Sequence, residues 1–148
     1  MNRPLLKLEE FLPYRLSVLS NQVSQGIAKT YADRFGLSVT EWRVIAILGR
    51  FPGIPASQIV DRSAMDKVAI SRAVRRLLEA GLVRRQADDS DRRAKPLTLS
   101  TEGQAVHAAI APAALDYERR LLAALTPAER SALDCLLDKL DAASRPRS

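Results

Sequence analysis

The order of a helix, a glycine stop and a hairpin between residues 66 and 100 restricts the folds open to this chain more than any other feature. Asp66 is a plausible N-cap, and the residues after it repeat apolar side chains at steps of three and four. Those side chains form one stripe: Ile70, Val74, Leu77 and Leu78. Gly81 can adopt the left-handed conformation that commonly ends a helix. We therefore expect a helix that buries one face and stops at Gly81.

Two short strands are expected after that stop, over residues 82–85 and 96–99, because both segments flank a polar run. The run between them, residues 87–93, carries too many charges to pack inside a protein. Pro96 cannot donate a ladder hydrogen bond, so it fits an edge strand and argues against a larger sheet. The hairpin is therefore predicted to be a small wing.

Two shorter helices are predicted before the helix that starts at Asp66, whose outward face is basic. Ser38 and Glu41 have the S-x-x-E spacing in which each side chain satisfies a free amide at a helix start. Pro55 can occupy a first-turn position of the next helix, over residues 56–62. Together with the helix that starts at Asp66 they form a helix-turn-helix pattern. In this pattern the later helix, here the one that starts at Asp66, lies in the major groove of DNA.

Charge is concentrated in the same part of the chain. Residues 61–99 hold ten basic and six acidic groups, whereas residues 100–148 hold six basic and seven acidic groups. This asymmetry indicates a polyanionic partner for the middle segment, such as double-stranded DNA. From composition alone, a merely solvated basic face is an equal alternative.

The polar face of the basic helix divides by chemistry into reading and positioning residues. Arginine can engage guanine through two hydrogen bonds, and such contacts read sequence. The candidates for the major groove are Lys67, Val68, Ser71, Arg72 and Arg75. Arg76 and Arg84 are expected to meet phosphates, which position a protein without reading sequence. Arg62 could meet a phosphate, but it could equally be a solvated charge at a helix end.

The tip of the wing reads Asp91-Arg92-Arg93. Arginine there can enter a narrow minor groove, where the negative potential is enhanced, and Asp91 can hold it in position. The alternative is that Asp91 and Arg93 form only a surface ion pair.

Long apolar helices flank this central region. The first is expected to run to about Phe35, with Pro13 in its first turn, and Gly36 stops it. Its apolar residues recur at steps of three and four: Leu8, Leu12, Leu16, Leu19, Val23, Ile27 and Tyr31. Another begins at Ser100 and contains Pro112, which predicts a kink.

Thr126 and Glu129 then form a capping box with Pro127 at a first-turn position, which opens a last helix. The terminal helices carry more apolar surface than a DNA-binding head can bury, so they are predicted to form a two-fold interface between two copies of the chain. The residues expected there are Leu8, Leu12, Leu16, Leu133, Leu136, Leu137 and Leu140. The alternative is that these helices complete the core of a monomer.

Composition argues against several other classes of protein. No apolar run approaches the roughly 20 residues that a membrane span needs, so a cytoplasmic protein without a membrane partner is expected. One cysteine and one histidine leave no disulfide framework and no zinc cluster, and no cofactor is expected. Six scattered glycines supply no phosphate loop, and no base stands beside a nucleophile, so the sequence does not read as an enzyme.

The motifs resemble the MarR family of bacterial transcriptional regulators, and the similarity spans nearly the whole chain. The segments that carry it are Met65-Asp66-Lys67, Ser71-Arg72-Ala73-Val74, Leu77, Gly81-Leu82-Val83, Asp91-Arg92-Arg93, Leu97-Thr98-Leu99 and Gly103. Most telling is the D-x-R wing tip followed by L-[ST]-x-x-G, with Ser100 in place of the more usual threonine. Pro55 stands where many members have a capping serine or threonine, so Ser57 is the better candidate for a phosphate contact.

The resemblance implies a mainly α fold with a small β-wing, in which a winged helix-turn-helix head over residues 37–99 joins a helical dimerisation region. That region would comprise residues 1–36 and 100–148. It further implies a homodimeric repressor that binds a pseudo-palindromic operator and is released by a small aromatic or phenolic ligand. The implied effector pocket contains Tyr14, Arg15, Trp42 and His107.

Simpler roles are open for these four residues. Trp42 can be plain core, Tyr14 a dimer contact, Arg15 an exposed charge and His107 a satisfied or solvent-facing side chain.

Two alternatives to ligand sensing are open. Oxidation of Cys135 could be the signal, but its leucine and aspartate neighbours favour a buried, unreactive thiol. An architectural DNA-binding protein without an effector would carry the same head.

Overall fold

Helices dominate the structure, a computed structural model that describes residues 3–86 and 95–146. A 3₁₀ turn at Leu8–Glu10 precedes the first helix. The helices and strands, in chain order, are α1 Leu12–Ala28, α2 Ala32–Phe35, α3 Val39–Arg50, α4 Ala56–Ser63, α5 Lys67–Glu79, β1 Val83–Arg85, β2 Leu97–Leu99, α6 Thr101–Leu122 and α7 Pro127–Ser144. The predicted mainly α fold with a small β-wing is confirmed.

The first predicted helix is interrupted, so the expectation of one helix to Phe35 is wrong. The α1 helix begins with Pro13 in its first turn, as expected, but it ends at Ala28. The Thr30 hydroxyl donates to the Ile27 carbonyl over 2.6 Å, which competes with continued helix formation. The chain then turns inward, because Tyr31 is only 1% exposed. Helix α2 follows and ends at Gly36, whose φ is 66°.

Helices α3, α4 and α5 pack around one apolar core. Ser38 and Glu41 form the predicted capping box. The Glu41 N–H donates to the Ser38 hydroxyl over 3.1 Å, and the Ser38 N–H donates to the Glu41 carboxylate over 3.0 Å. Asp66 accepts from the Ala69 N–H over 3.1 Å and begins α5 as expected. The largest fully buried aliphatic side chains are Val44, Ile45, Leu48, Ile59, Ile70, Leu77, Leu97 and Ile110.

The turn between α4 and α5 lies at the predicted position. Ser63 is buried, and its hydroxyl donates to the Val60 carbonyl and accepts from the Met65 N–H. Ala64 adopts a left-handed conformation with φ of 52°. The Ser63 hydroxyl therefore stabilises a tight turn that has no glycine.

Pro55 is the N-cap of α4 and not a first-turn residue, which differs from the expectation.

The hairpin pairs Val83 with Leu99 and Arg85 with Leu97 in antiparallel register. Leu97 also forms a bridge to Ile54 on its other side, through bonds of 2.8 and 2.9 Å to the 53–54 backbone. Leu97 alone is therefore paired on both sides, and the sheet of the described residues consists of two strands, which agrees with the expectation that Pro96 excludes a larger sheet. A single paired residue before α4 carries no strand pattern that a sequence could reveal.

A three-way junction joins the end of α5, the start of β1 and the start of α6. The Ser100 hydroxyl donates to the Gly81 carbonyl over 2.6 Å and accepts from the Gly103 N–H over 3.0 Å. The Ser100 N–H donates to the Leu82 carbonyl over 3.0 Å. Gly103 is buried so close to that carbonyl that an added Cβ would collide with it. The L-[ST]-x-x-G motif is therefore a packing motif.

The chain divides into two compact units, Met1–Ala113 and Ala114–Ser148. Helix α6 runs through Pro112, which lies just before this division. Thr126 and Glu129 form the predicted capping box, with Pro127 as the first residue of α7. The bonds from Thr126 hold the pKa of the Glu129 carboxyl below its usual value. In the described ranges, no helix is long and apolar enough to cross a membrane.

We predict that Gly103→Ala destabilises the fold more than Gly81→Ala does. The Cβ at residue 103 meets the Leu82 carbonyl, a backbone atom that cannot rotate away, so we expect a loss of at least about 2 kcal/mol. Gly81 has φ of 75° and open space around a Cβ, so only backbone strain of about 1 kcal/mol applies. Urea midpoints at equal m-values measure both losses. Equal losses would contradict the close approach at Gly103.

We also predict that Tyr31 makes stability fall at high pH. Burial raises the pKa of the Tyr31 phenol, and the nearby Arg43 guanidinium opposes this only in part. The folded state therefore holds the proton more tightly, and stability is lost as pH rises from about 10 through the raised value. Tyr31→Phe should flatten this loss in urea unfolding between pH 8 and 11, whereas Tyr14→Phe, at an exposed position, should not. An identical pH slope in Tyr31→Phe would contradict the prediction.

Candidate nucleic-acid interface and ligand cleft

The outward face of α5 presents a row of exposed side chains. At about 100° per residue, Val68, Arg72 and Arg75 lie opposite the buried stripe. All three are exposed, and Val68 is 54% exposed although it is apolar. Lys67 and Ser71 are exposed on one flank of this row. The five predicted major-groove residues therefore share one accessible surface, with two arginines at its centre.

Beside this row lies a depression of about 330 Å³ that Ser71 and Arg75 line together with Arg85 of β1 and Glu79. Arg85 and Glu79 were not among the predicted site residues. Arg84 and Arg85 both lie in the predicted strand. Only the pairing of β1 with β2 decides which of the two arginines faces α5. Arg84 is exposed opposite Thr98 and does not line the depression.

Arg76 lies apart from the row, on the flank that faces α3. Its Nε atom is 3.9 Å from Oε2 of Glu41, and its side chain is 70% exposed. Ser57 is exposed in the first turn of α4. Arg62 stacks on the Phe51 ring, with its Cζ atom 3.7 Å from the ring centroid, so it is held against the protein. Asp91, Arg92 and Arg93 lie outside the described residues.

An aromatic cluster brings Trp42 and His107 together, as two of the predicted pocket residues. Their ring centroids are 5.9 Å apart, and the Trp42 ring lies 5.7 Å from that of Tyr31. A Cβ at residue 49 would come within 2.5 Å of the His107 Nε2 atom, so Gly49 allows His107 to approach α3.

A cleft of about 230 Å³ opens beside this cluster. Trp42 and Tyr31 form its aromatic wall, and Arg43 and Ser24 supply polar groups. The Arg43 Nη2 atom donates to the Ser24 hydroxyl over 3.4 Å, a long bond that a better acceptor could replace. The cleft therefore offers an aromatic surface beside a half-buried cation. Tyr31 was missed because the first predicted helix was continuous, and Arg43 was missed because it lies on α3 and meets Ser24 of α1 only in the folded chain.

Tyr14 and Arg15 are not part of this cleft. They line a separate depression of about 410 Å³ on α1, between Leu12 and Gln22. The predicted four-residue pocket is therefore divided within the chain, and the arginine beside Trp42 is Arg43.

The leucines predicted to form a dimer interface are exposed in the single chain. In the N-terminal segment these are Leu8, Leu12 and Leu16, each at least 44% exposed. In α7 they are Leu133, Leu136, Leu137 and Leu140, each at least 37% exposed. Cys135 is exposed as well, which corrects its expected burial, because the residues of α7 around it are exposed too. Two apolar helix faces therefore have no cover within the described chain.

Known proteins with similar sequences and structures are transcriptional regulators. The MarR family profile matches residues 35–94. A probable transcriptional regulator from Pseudomonas aeruginosa is 32% identical, with a TM-score of 0.70 over 90% of this chain and 99% of that one. A MarR family regulator from Silicibacter pomeroyi is 29% identical, with a TM-score of 0.80 over 99% of each chain. An HTH-type transcriptional repressor from Mycobacterium tuberculosis is 28% identical over 131 residues, which are 88% of this chain and 91% of that protein.

Two solved structures with bound partners share the fold at lower identity. A MarR family regulator from Streptomyces coelicolor in complex with DNA is 22% identical, with a TM-score of 0.80 over 98% of this chain and 93% of that one. A MarR family protein from Mycobacterium tuberculosis in complex with p-aminosalicylic acid is 24% identical, with a TM-score of 0.70 over 88% and 98%.

The geometry and the matches agree. An exposed basic face on the second helix of a helix-turn-helix pair, followed by a hairpin, is the arrangement of a winged DNA-binding head. The chain belongs to the MarR family of DNA-binding transcriptional regulators.

Proposed function

We propose that this regulator is a homodimeric repressor that reads a pseudo-palindromic operator and releases it when a small aromatic or phenolic acid binds. The observation that carries the proposal is the outward face of α5, where Arg72 and Arg75 stand exposed opposite a wholly apolar stripe. Inserted in a major groove, that face would present two guanidinium forks to base edges.

Contacts to the DNA divide into two kinds under this proposal. Lys67, Val68, Ser71, Arg72 and Arg75 face base edges, and the apolar Val68 suits the methyl group of a thymine. Ser57 and Arg84, both exposed on neighbouring elements, meet phosphates. The wing tip at Asp91, Arg92 and Arg93 enters the minor groove. A Streptomyces coelicolor regulator of this fold has been solved in complex with DNA, which supports DNA as the partner.

Dimerisation supplies the second head. The exposed leucines of the N-terminal segment and of α7 repeat at helical spacing. Exposure of such apolar faces to water is unfavourable. A second copy of the chain offers the same faces in return, as an isologous interface requires. Two heads then read two half-sites about one helical turn apart.

The effector binds in the cleft formed by Tyr31, Trp42 and Arg43. A carboxylate would pair with the Arg43 guanidinium and displace its 3.4 Å bond to Ser24, while an aromatic ring would lie against Trp42. The complex of a MarR family protein with p-aminosalicylic acid supports this class of ligand.

Two other modes are separable from ligand release. The exposed Cys135 favours redox control as the second candidate, since oxidants reach exposed thiols. Cys135→Ser should leave the response to an aromatic acid intact and abolish any response to peroxide. An architectural protein would instead bind random DNA as tightly as an operator.

We predict that Arg72→Ala weakens operator binding by about 1–3 kcal/mol, because a contact between arginine and guanine is lost. Binding to random duplex should change much less, since non-specific binding depends on phosphate contacts. The operator would first be selected from a pool of random duplexes, and fluorescence anisotropy at two salt concentrations would then measure both affinities.

Arg120→Ala is the matched control, because it also removes one exposed arginine but lies on α6, far along the chain from α5. It should leave the ratio of operator to random affinity unchanged. Equal weakening of both duplexes by Arg72→Ala would make Arg72 a phosphate contact and contradict its reading role.

We further predict that Arg43→Gln weakens binding of salicylate and p-aminosalicylic acid about tenfold or more, through loss of a charge-assisted hydrogen bond. Arg15→Gln should leave affinity unchanged. Trp42 is the single tryptophan, so its fluorescence reports on the cleft directly, and thermal shifts provide a second readout. Loss of binding in Arg15→Gln with full binding in Arg43→Gln would move the site to α1.

A further inference from the structure

Glu41 is a buried carboxylate with two different partners. It is 5% exposed, and its Oε1 atom accepts from the Ser38 N–H over 3.0 Å. Its Oε2 atom lies 3.9 Å from the Nε atom of Arg76. In the part of the chain that the structure describes, Arg76 is the only cation within 4.0 Å of this carboxylate. A buried carboxylate is costly unless a counter-charge compensates it, and Arg76 supplies that charge from the protein surface.

The position of Arg76 on α5 fits that task better than a contact with DNA. Arg76 is one turn beyond Arg72, but it lies about 70° around the helix from the centre of the exposed row, on the side of Ala69. Its contact with Glu41 places this flank of α5 against the start of α3.

Neighbouring features give the contact a role in orientation. Ile70, Ala73, Val74 and Leu77 hold α5 by apolar packing, and packed helices can still slide slightly against each other. A charge on one flank, facing a carboxylate fixed by the α3 cap, adds a directional restraint. Rotation of α5 about its axis would turn Arg72 away from base edges and stretch the distance between Arg76 and Glu41.

We infer that Arg76 is a positioning residue: through the buried Glu41 carboxylate it fixes the rotation of α5 and hence the aim of Arg72, and it does not serve as a phosphate contact. This inference rests on the proposed reading role of α5. It replaces the phosphate contact that the sequence suggested for Arg76.

Three variants test it: Glu41→Gln, Arg76→Gln and the double variant. Glutamine takes the place of glutamate in capping boxes, so Glu41→Gln keeps the α3 cap and removes only the charge. Each single variant should lower the ratio of operator to random affinity about threefold or more, and the double variant should lower it no further than either single one. Arg76→Lys, which keeps the positive charge, should have a higher ratio of operator to random affinity than Arg76→Gln.

The salt dependence of DNA binding separates positioning from phosphate contact. Arg84→Gln, which removes a proposed phosphate contact, should reduce the slope of log affinity against log salt by about 0.9. Arg76→Gln should reduce it by less than half of that. If Arg76→Gln reduces the slope as much as Arg84→Gln does, and Glu41→Gln leaves the ratio unchanged, the inference is wrong.

Amide hydrogen exchange of the free protein tests the restraint without DNA. Both single variants should speed exchange in α5 equally, with unchanged exchange in α6. Additive effects of the two substitutions would show independent roles and overturn the inference. A wild-type ratio near one between selected and random duplexes would instead refute the proposed function, and the exchange experiment would still decide whether Glu41 restrains Arg76.

Discussion

The junction at Ser100 is the contact on which the head depends. One hydroxyl bonds both the Gly81 carbonyl at the end of α5 and the Gly103 N–H at the start of α6. The same residue's N–H bonds the Leu82 carbonyl, against which Gly103 packs without room for a side chain. The exit of α5, the first strand of the wing and the entry of α6 are therefore fixed within a few residues of each other.

Communication between ligand and DNA follows from this arrangement under the proposed function. A ligand beside Trp42 would contact α3 directly and would adjoin His107 on α6. Each of these helices is linked to α5. An ion pair of Glu41 with Arg76 links α3 to it, and the bond from Ser100 to Gly81 links the residue before α6 to the turn after α5. A displacement of either helix would therefore change the orientation of α5, because packed helices move as rigid elements.

Local rules written in the sequence predicted much of this structure, and tertiary packing decided the remainder. The caps at Ser38, Asp66 and Thr126 are correct because each depends on residues within three positions. The break after Ala28 was missed because Tyr31 fits the apolar repeat, yet it turns into the core. The bridge from Ile54 to Leu97 and the bond from Arg43 to Ser24 depend on contacts between distant segments, which spacing along one helix cannot reveal.

Under the proposed function, two heads, each presenting α5, read one operator together. The most direct test measures binding to a selected duplex with two half-sites one helical turn apart, and to the same duplex with one half-site scrambled. We expect two protomers on the intact duplex and at least about tenfold weaker binding to the scrambled one, because half of the base contacts are lost. One protomer per duplex, with equal affinity for both duplexes, would rule out reading by two heads.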